Sequence, residues 1–166
     1  MSDTTWNRYK LQKSLFALEE DFWVENERGE QLYKADSQAL SLRETFVLAD
    51  KNDNELLQIE AKLLAARPTM KIKKQGQLYA TVTKKLLSLL HQHYDIQVEG
   101  GPAYEAEGKI NKHEYEIKNN GSVAAKISKE WFSLHDAYGI EVAPGQDDLL
   151  MLAAAICIDE ISTEKS

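Results

Sequence analysis

The sequence holds a single cysteine, Cys157, in 166 residues. One thiol closes no internal disulfide, so nothing marks the chain as built for an oxidising compartment. Prolines number only 3, and no linker or low-complexity segment interrupts the chain. Positive charge is also in deficit, with 20 Lys and Arg against 27 Asp and Glu and a formal net charge of -7. Phosphate contacts need clustered basic residues, so general nucleic-acid binding is not expected. Long apolar runs are missing too. The longest, "LLMLAAAICI" from Leu149 to Ile158, reaches about 15 Å as a helix, half the roughly 30 Å of a bilayer core. The opening "MSDTTWNRYK" has no apolar stretch of the signal-peptide kind. These absences lead us to expect an intracellular, cytoplasmic protein with no transmembrane segment. Peripheral contact with a membrane surface remains open.

What is present suits one globular domain: 43% hydrophobic and 28% charged residues. Its expected bounds are 9–161, between a flexible N-terminus (1–8) and a flexible tail (162–166). The chain also carries a repeat. "KEWFSLHDAYGIEVAPG" (Lys129 to Gly145) aligns without a gap on "KSLFALEEDFWVENERG" (Lys13 to Gly29). Phe132 then falls on Phe16, Tyr138 on Phe22 and Gly145 on Gly29. Related apolar units end at Leu18, Leu42, Ala66, Leu89 and Leu134, in steps of 24, 24, 23 and 45 residues. Turn signals keep the same rhythm: "NERG" ending at Gly29, "DKNDN" at Asn54, "KKQG" at Gly76, "EGG" around Gly100 and "KNNG" at Gly121. Gly and Asn suit such places because hairpin turns need positive φ.

Between the turns the hydrophobic period is two. Phe46 and Leu48 alternate with polar neighbours, as do Tyr94, Ile96 and Val98, then Tyr115 and Ile117, then Tyr138, Ile140 and Val142. Such alternation marks half-buried strands, and frequent turns make them antiparallel hairpins. A period near 24 residues also fits a leucine-rich solenoid, but the consensus asparagine of that repeat is missing. About a dozen strands are expected.

The exception is "PGQDDLLMLAAAICIDEIS". Asp147 and Asp148 suit a helix start, where a carboxylate caps free N–H groups and complements the dipole. Leu149 to Ile158 is apolar on every face, whereas a surface helix shows a stripe. This helix must be surrounded. The expected fold is mainly β: an antiparallel closed barrel of about twelve strands enclosing a hydrophobic C-terminal helix. Asp159 and Glu160 would mark where the helix leaves its apolar surroundings.

The units "YKLQKSLFALEEDFWVENERGEQLYKA", "HEYEIKNNGSVAAKISKEWFSLHDAYGIEV" and "DDLLMLAAAICID" resemble the LURP-one-related family, over roughly Tyr9 to Ile161. That family is similar to the Tubby C-terminal domain and to phospholipid scramblases. The resemblance, in its bacterial-type form, implies a twelve-stranded barrel around a C-terminal helix. For function it implies a non-enzymatic binding or scaffold module, with an anionic phospholipid headgroup or a protein as partner. The basic headgroup residues of Tubby domains have no position-by-position match here, so none is carried over.

Several residues invite a chemical reading. His135 and Asp136 occupy a place that other units fill with Glu19, Arg43 or Arg67, as a solvent-facing turn permits. Ser133 has no Gly-rich elbow that would make it a nucleophile. His91 and His93 would share a face on a strand and hold a metal with further ligands such as His113. The spacing fits better with the two ends of a polar turn, and no metal or cofactor is expected. Cys157, inside the apolar helix, reads as core packing. The densest positive stretch follows Arg67 with Lys71, Lys73, Lys74, Lys84 and Lys85. These five lysines form the candidate patch for an anionic ligand, against the plainer reading of a solvated barrel face. Two alternatives accompany the binding module. One is an enzyme with a pocket at a barrel mouth, using His91, His93, His113 and Tyr115. The other is a self-assembling stress-related protein of undetermined oligomeric state.

Overall fold

The computed structural model describes residues 5–14, 21–37, 45–62, 66–85, 91–109, 114–128 and 137–163. Twelve strands precede one helix: β1 (Asn7–Ser14), β2 (Asp21–Asn26), β3 (Gln31–Ser37), β4 (Thr45–Asp50), β5 (Glu55–Ala61), β6 (Thr69–Lys74), β7 (Gln77–Lys85), β8 (His91–Val98), β9 (Ala103–Lys109), β10 (Glu114–Asn119), β11 (Ser122–Ser128), β12 (Ala137–Val142) and α1 (Asp148–Thr163). Each strand pairs antiparallel with its sequence neighbours, and β1 pairs with β12 to close the ring. Closure removes every sheet edge, so all ladder hydrogen bonds find partners within the chain.

The turns form where the sequence supplies positive φ. Gln75 (φ 51°) with Gly76 (φ 77°), and Asn120 (φ 49°) with Gly121 (φ 84°), make two-residue hairpin loops with both central residues left-handed. In the longer β4–β5 turn, the Asp50 carboxylate accepts the backbone N–H groups of Asn52 and Asn54 at 2.8 and 3.0 Å. Just inside these loops the pairing slips after Val24, Leu48, Ile72 and Ile117. Those positions are 24, 24 and 45 residues apart, so the internal repeat reappears as a repeated bulge. Each bulge adds local twist, which helps a flat hairpin bend into a barrel wall.

Inward residues alternate as the period of two demands. Phe22 and Val24, Phe46 and Leu48, Leu57 and Ile59, and Tyr94 and Ile96 are all buried. Phe22 and Phe46 meet edge to face at 5.6 Å. The helix runs through this interior, with every residue from Leu150 to Ile161 buried. It lies nearest β5, β6, β7 and β12, and the buried Ala153, Ala154 and Ala155 keep it slim along the middle of its length. Asp147 caps it as expected, its Oδ1 accepting the Leu150 N–H at 3.1 Å.

Two expectations need correction. Asp159 and Glu160 do not mark an exit, since both are buried at 5% and 4% exposure. Their carboxylates stay inside because β1 sends Lys13 inward beside them. The histidines of "LLHQHYD" are not turn ends either. His91 opens β8 and His93 continues it.

Candidate functional site

The helix is tied at both ends by polar groups from the wall. At its N-terminus the Tyr79 hydroxyl donates to Asp147 Oδ2 at 2.5 Å, the Tyr9 hydroxyl donates to Asp148, and Asn7 Nδ2 reaches the same Asp148 carboxylate at 2.7 Å. The β6–β7 bulge makes the first tie possible. Ile72 pairs with Ala80 and Lys73 with Leu78, which leaves Tyr79 as the extra residue. The bond to Asp147 and partial burial push the Tyr79 hydroxyl up to about 12. Burial, then the Asp148 bond, raises Tyr9 further.

At the C-terminal end, Lys13 Nζ lies 3.4 Å from Asp159 Oδ2 and 3.6 Å from Glu160 Oε1. The Tyr138 hydroxyl also donates to Asp159. Nearby, Tyr94 and Tyr115 both donate to Gln92 Oε1, at 2.9 and 2.8 Å. Burial raises both of these tyrosines. Gly108 is what lets Tyr115 reach Gln92. It lies directly between them across β9, and a Cβ there would sit 2.2 Å from the Tyr115 ring. Cys157 is fully buried, and burial raises its thiol far above the ordinary range. That is the core-packing role expected of it.

The candidate lysines occupy three different places. Lys71 and Lys73 point outward from β6, on either side of the inward Ile72. Lys73 pairs with Glu60 at 2.8 Å. Lys74 sits at the hairpin tip, over the Tyr79 ring at 5.5 Å. Lys85 points outward at the far end of β7 and bridges Asp95 and Glu105, each at 3.1 Å. Lys84 falls in step with the inward Ala80 and Val82. From Lys74, opposite Gln77, to Lys85 is a strand length of roughly 26 Å. All five lie on the β6–β7 hairpin, with Lys73 and Lys74 near its tip, Lys71 midway along β6, and Lys84 and Lys85 toward the other rim.

The histidines are placed differently again. His91 and His93 share the outer face of β8, with ring centroids 6.5 Å apart. Among the described residues no group of three His, Cys, Asp or Glu could hold a metal ion. His113, His135 and Asp136 lie outside the described residues. A cleft of about 400 Å³ does open across β8 to β11. His91, Glu107, Glu114, Tyr115, Glu116 and Lys126 line it. Composition hid this cleft because its residues come from four strands. The one legible hint was the Glu-x-Glu spacing at 114 and 116, which on a strand puts both carboxylates on one face.

A closed twelve-strand barrel filled by its own C-terminal helix defines a Tubby-like architecture. The chain belongs to the LURP-one-related family, whose model matches residues 8–159. Uncharacterized protein YxjI of Bacillus subtilis is 26% identical over 106 residues, covering 52% of this chain and 65% of that protein. The match therefore spans just under two thirds of the relative, and its bacterial source agrees with a bacterial-type member. An X-ray structure of an Arabidopsis thaliana protein superposes with a TM-score of 0.65 at 13% identity, covering 92% of this chain and 91% of the other. At that identity the likeness is one of fold. Among the described residues no helix is long and apolar enough to cross a membrane.

Proposed function

We propose that the chain is a binding module that meets an anionic phospholipid headgroup on the outside of its barrel. One observation carries this reading. The interior is occupied along its length by α1, from Leu150 to Ile161, so a ligand is met at the wall or the rims. The β6–β7 hairpin is the best-suited part of that surface. It presents Lys71, Lys73 and Lys74 beside Leu78, the exposed large hydrophobic among the described residues at 38%. Basic residues near an anionic surface contribute about 1 kcal/mol each, and an apolar tip adds a foothold in the interface. Lys84 and Lys85 belong to the same candidate set but sit nearer the other rim, and Lys85 is already bridged to two carboxylates.

Sedimentation with vesicles is the test. Vesicles containing phosphatidylserine should carry the protein down at low salt, and pure phosphatidylcholine vesicles should not. Reversing Lys71, Lys73 and Lys74 to Glu should abolish the effect. No sedimentation of the unaltered chain at low salt would overturn the lipid reading.

The enzyme reading keeps one supporting observation: His91 and Tyr115 line the same cleft. However, the Tyr115 hydroxyl is committed to Gln92 and raised by burial, which makes it a poor proton donor at neutral pH. Hydrolysis of a generic ester or phosphate ester that disappears in His91→Ala would favour this reading over the first.

A further inference from the structure

We propose that His91 and His93, side by side on the outer face of β8, chelate a divalent late first-row metal ion, Cu²⁺ above the others. This site is independent of the lipid reading.

The strand supplies the geometry. Residues two apart on a strand stand on one face, about 6.6 Å from each other along it. β8 carries His91 and His93 in this way. Their ring centroids are 6.5 Å apart and their planes are inclined by 41°. A metal–nitrogen bond of about 2.0 Å puts each ring centre roughly 3 Å from the ion. The two rings therefore bracket a position between them, and a small turn of either side chain brings both nitrogens to it. The His91 side chain is 42% exposed and His93 is half-buried, so both rings have room to turn. His91 also lines the cleft across β8 to β11, which leaves space for coordinated water.

The surroundings favour a cation. Glu107 is the direct cross-strand partner of His93, and its Oε1 lies 3.9 Å from His91 Nδ1. Its carboxylate thus stands beside both rings. A carboxylate in that place orients a ligating imidazole and raises its basicity. On the other side, Lys85 is the β7 partner of His93. Its ammonium is held by Asp95 and Glu105, at 3.1 Å each, which offsets its charge.

The number of ligands selects the metal. Among the described residues no three His, Cys, Asp or Glu groups could hold one ion. Two imidazoles are then the share of the protein, and water completes the shell. Structural zinc takes four protein ligands and catalytic zinc three. Two nitrogens with water oxygens suit the tetragonal preference of Cu²⁺ or Ni²⁺, and affinity rises from Ni²⁺ to Cu²⁺. Mg²⁺ and Ca²⁺ prefer oxygen ligands and are not expected here.

Titration of the full chain with Cu²⁺, followed by calorimetry and by electron paramagnetic resonance, tests the proposal. One saturable site is expected, weaker with Ni²⁺ and absent with Mg²⁺. The copper signal should carry the splitting of two coordinated imidazole nitrogens. His91→Gln and His93→Gln keep a polar side chain on the wall, so the fold is expected to survive both. Each should weaken Cu²⁺ binding on the order of a hundredfold, because the second arm of a chelate contributes at least that much. Glu107→Gln should weaken it about tenfold. Absence of saturable Cu²⁺ binding, a signal with fewer than two nitrogens, or unchanged affinity in either histidine variant would each overturn the proposal.

Discussion

Gly108 carries more of this structure than its place in "YEAEGK" suggests. Its φ is not left-handed, so backbone freedom does not explain it. The reason is space: an added Cβ would lie 2.2 and 2.4 Å from two atoms of the Tyr115 ring and 2.7 Å from the Glu114 carbonyl oxygen. The ring could swing away, but only by giving up its bond to Gln92, and the carbonyl belongs to the β9–β10 ladder. Gly108→Ala is therefore expected to cost about 1–3 kcal/mol, the usual range for overpacking. Chemical denaturation should show this as a lower midpoint. Adding Tyr115→Leu should recover part of the loss, because it removes the clashing ring. A Gly108→Ala protein as stable as the parent would refute this account of the glycine.

At the scale of an element, the helix is the decisive piece. A 16-residue helix rarely survives alone in water, and this one owes its stability to burial. Leu150 lies in the first turn of the helix and is 2% exposed. Leu150→Asp would place a carboxylate there beyond reach of the tyrosines that serve Asp147 and Asp148. An unpaired buried charge costs more than about 4 kcal/mol, a large share of the 5–15 kcal/mol that holds a domain together. The variant should be insoluble or unfolded by circular dichroism. If it melted like the parent, the helix could not be the filling of the barrel. The two acids at its other end show why burial alone does not forbid charge. Asp159 and Glu160 remain inside because Lys13 and Tyr138 meet them there.

For the whole molecule, four of the seven tyrosines work as ties between the wall and its filling. Tyr9 and Tyr79 hold one end of the helix, Tyr138 holds the other, and Tyr104 reaches Gln146 at 3.2 Å in the approach to it. Burial and neighbouring carboxylates raise Tyr9, Tyr33, Tyr79, Tyr94, Tyr104 and Tyr115 above their ordinary value. The folded protein thus keeps protons that the unfolded chain releases near pH 10. Their stabilising effect is complete below that pH. It is lost as the pH climbs through the folded values, about 12 for Tyr79. Stability should therefore fall steeply above pH 10. Tyrosinate absorbance should appear together with loss of β-sheet signal, in one transition. Tyrosines that titrate smoothly near pH 10 in an intact barrel would contradict this.

Much of the barrel is legible in the chain itself. Val24, Leu48, Ile72 and Ile117 recur with the turn signals, so strand number, pairing order and the period of two follow from local chemistry. The apolar run from Leu149 to Ile158 requires enclosure whatever encloses it, because no face of it tolerates water. The candidate site was far less legible. Lys71, Lys73, Lys74, Lys84 and Lys85 look like one patch because they are close in sequence, yet strand alternation sets Lys84 in step with the inward residues and roughly 26 Å of strand separates Lys74 from Lys85. Glu107, Glu114, Glu116 and His91 look unrelated, and three adjacent strands bring them to one cleft. Hydrophobic period and turn type act over a few residues, and so the sequence by itself determined the strands, the hairpins and the need to bury the helix. Which polar side chains share a face depends on closure, register and bulges, which are summed over the whole ring. Only the tertiary structure decided that.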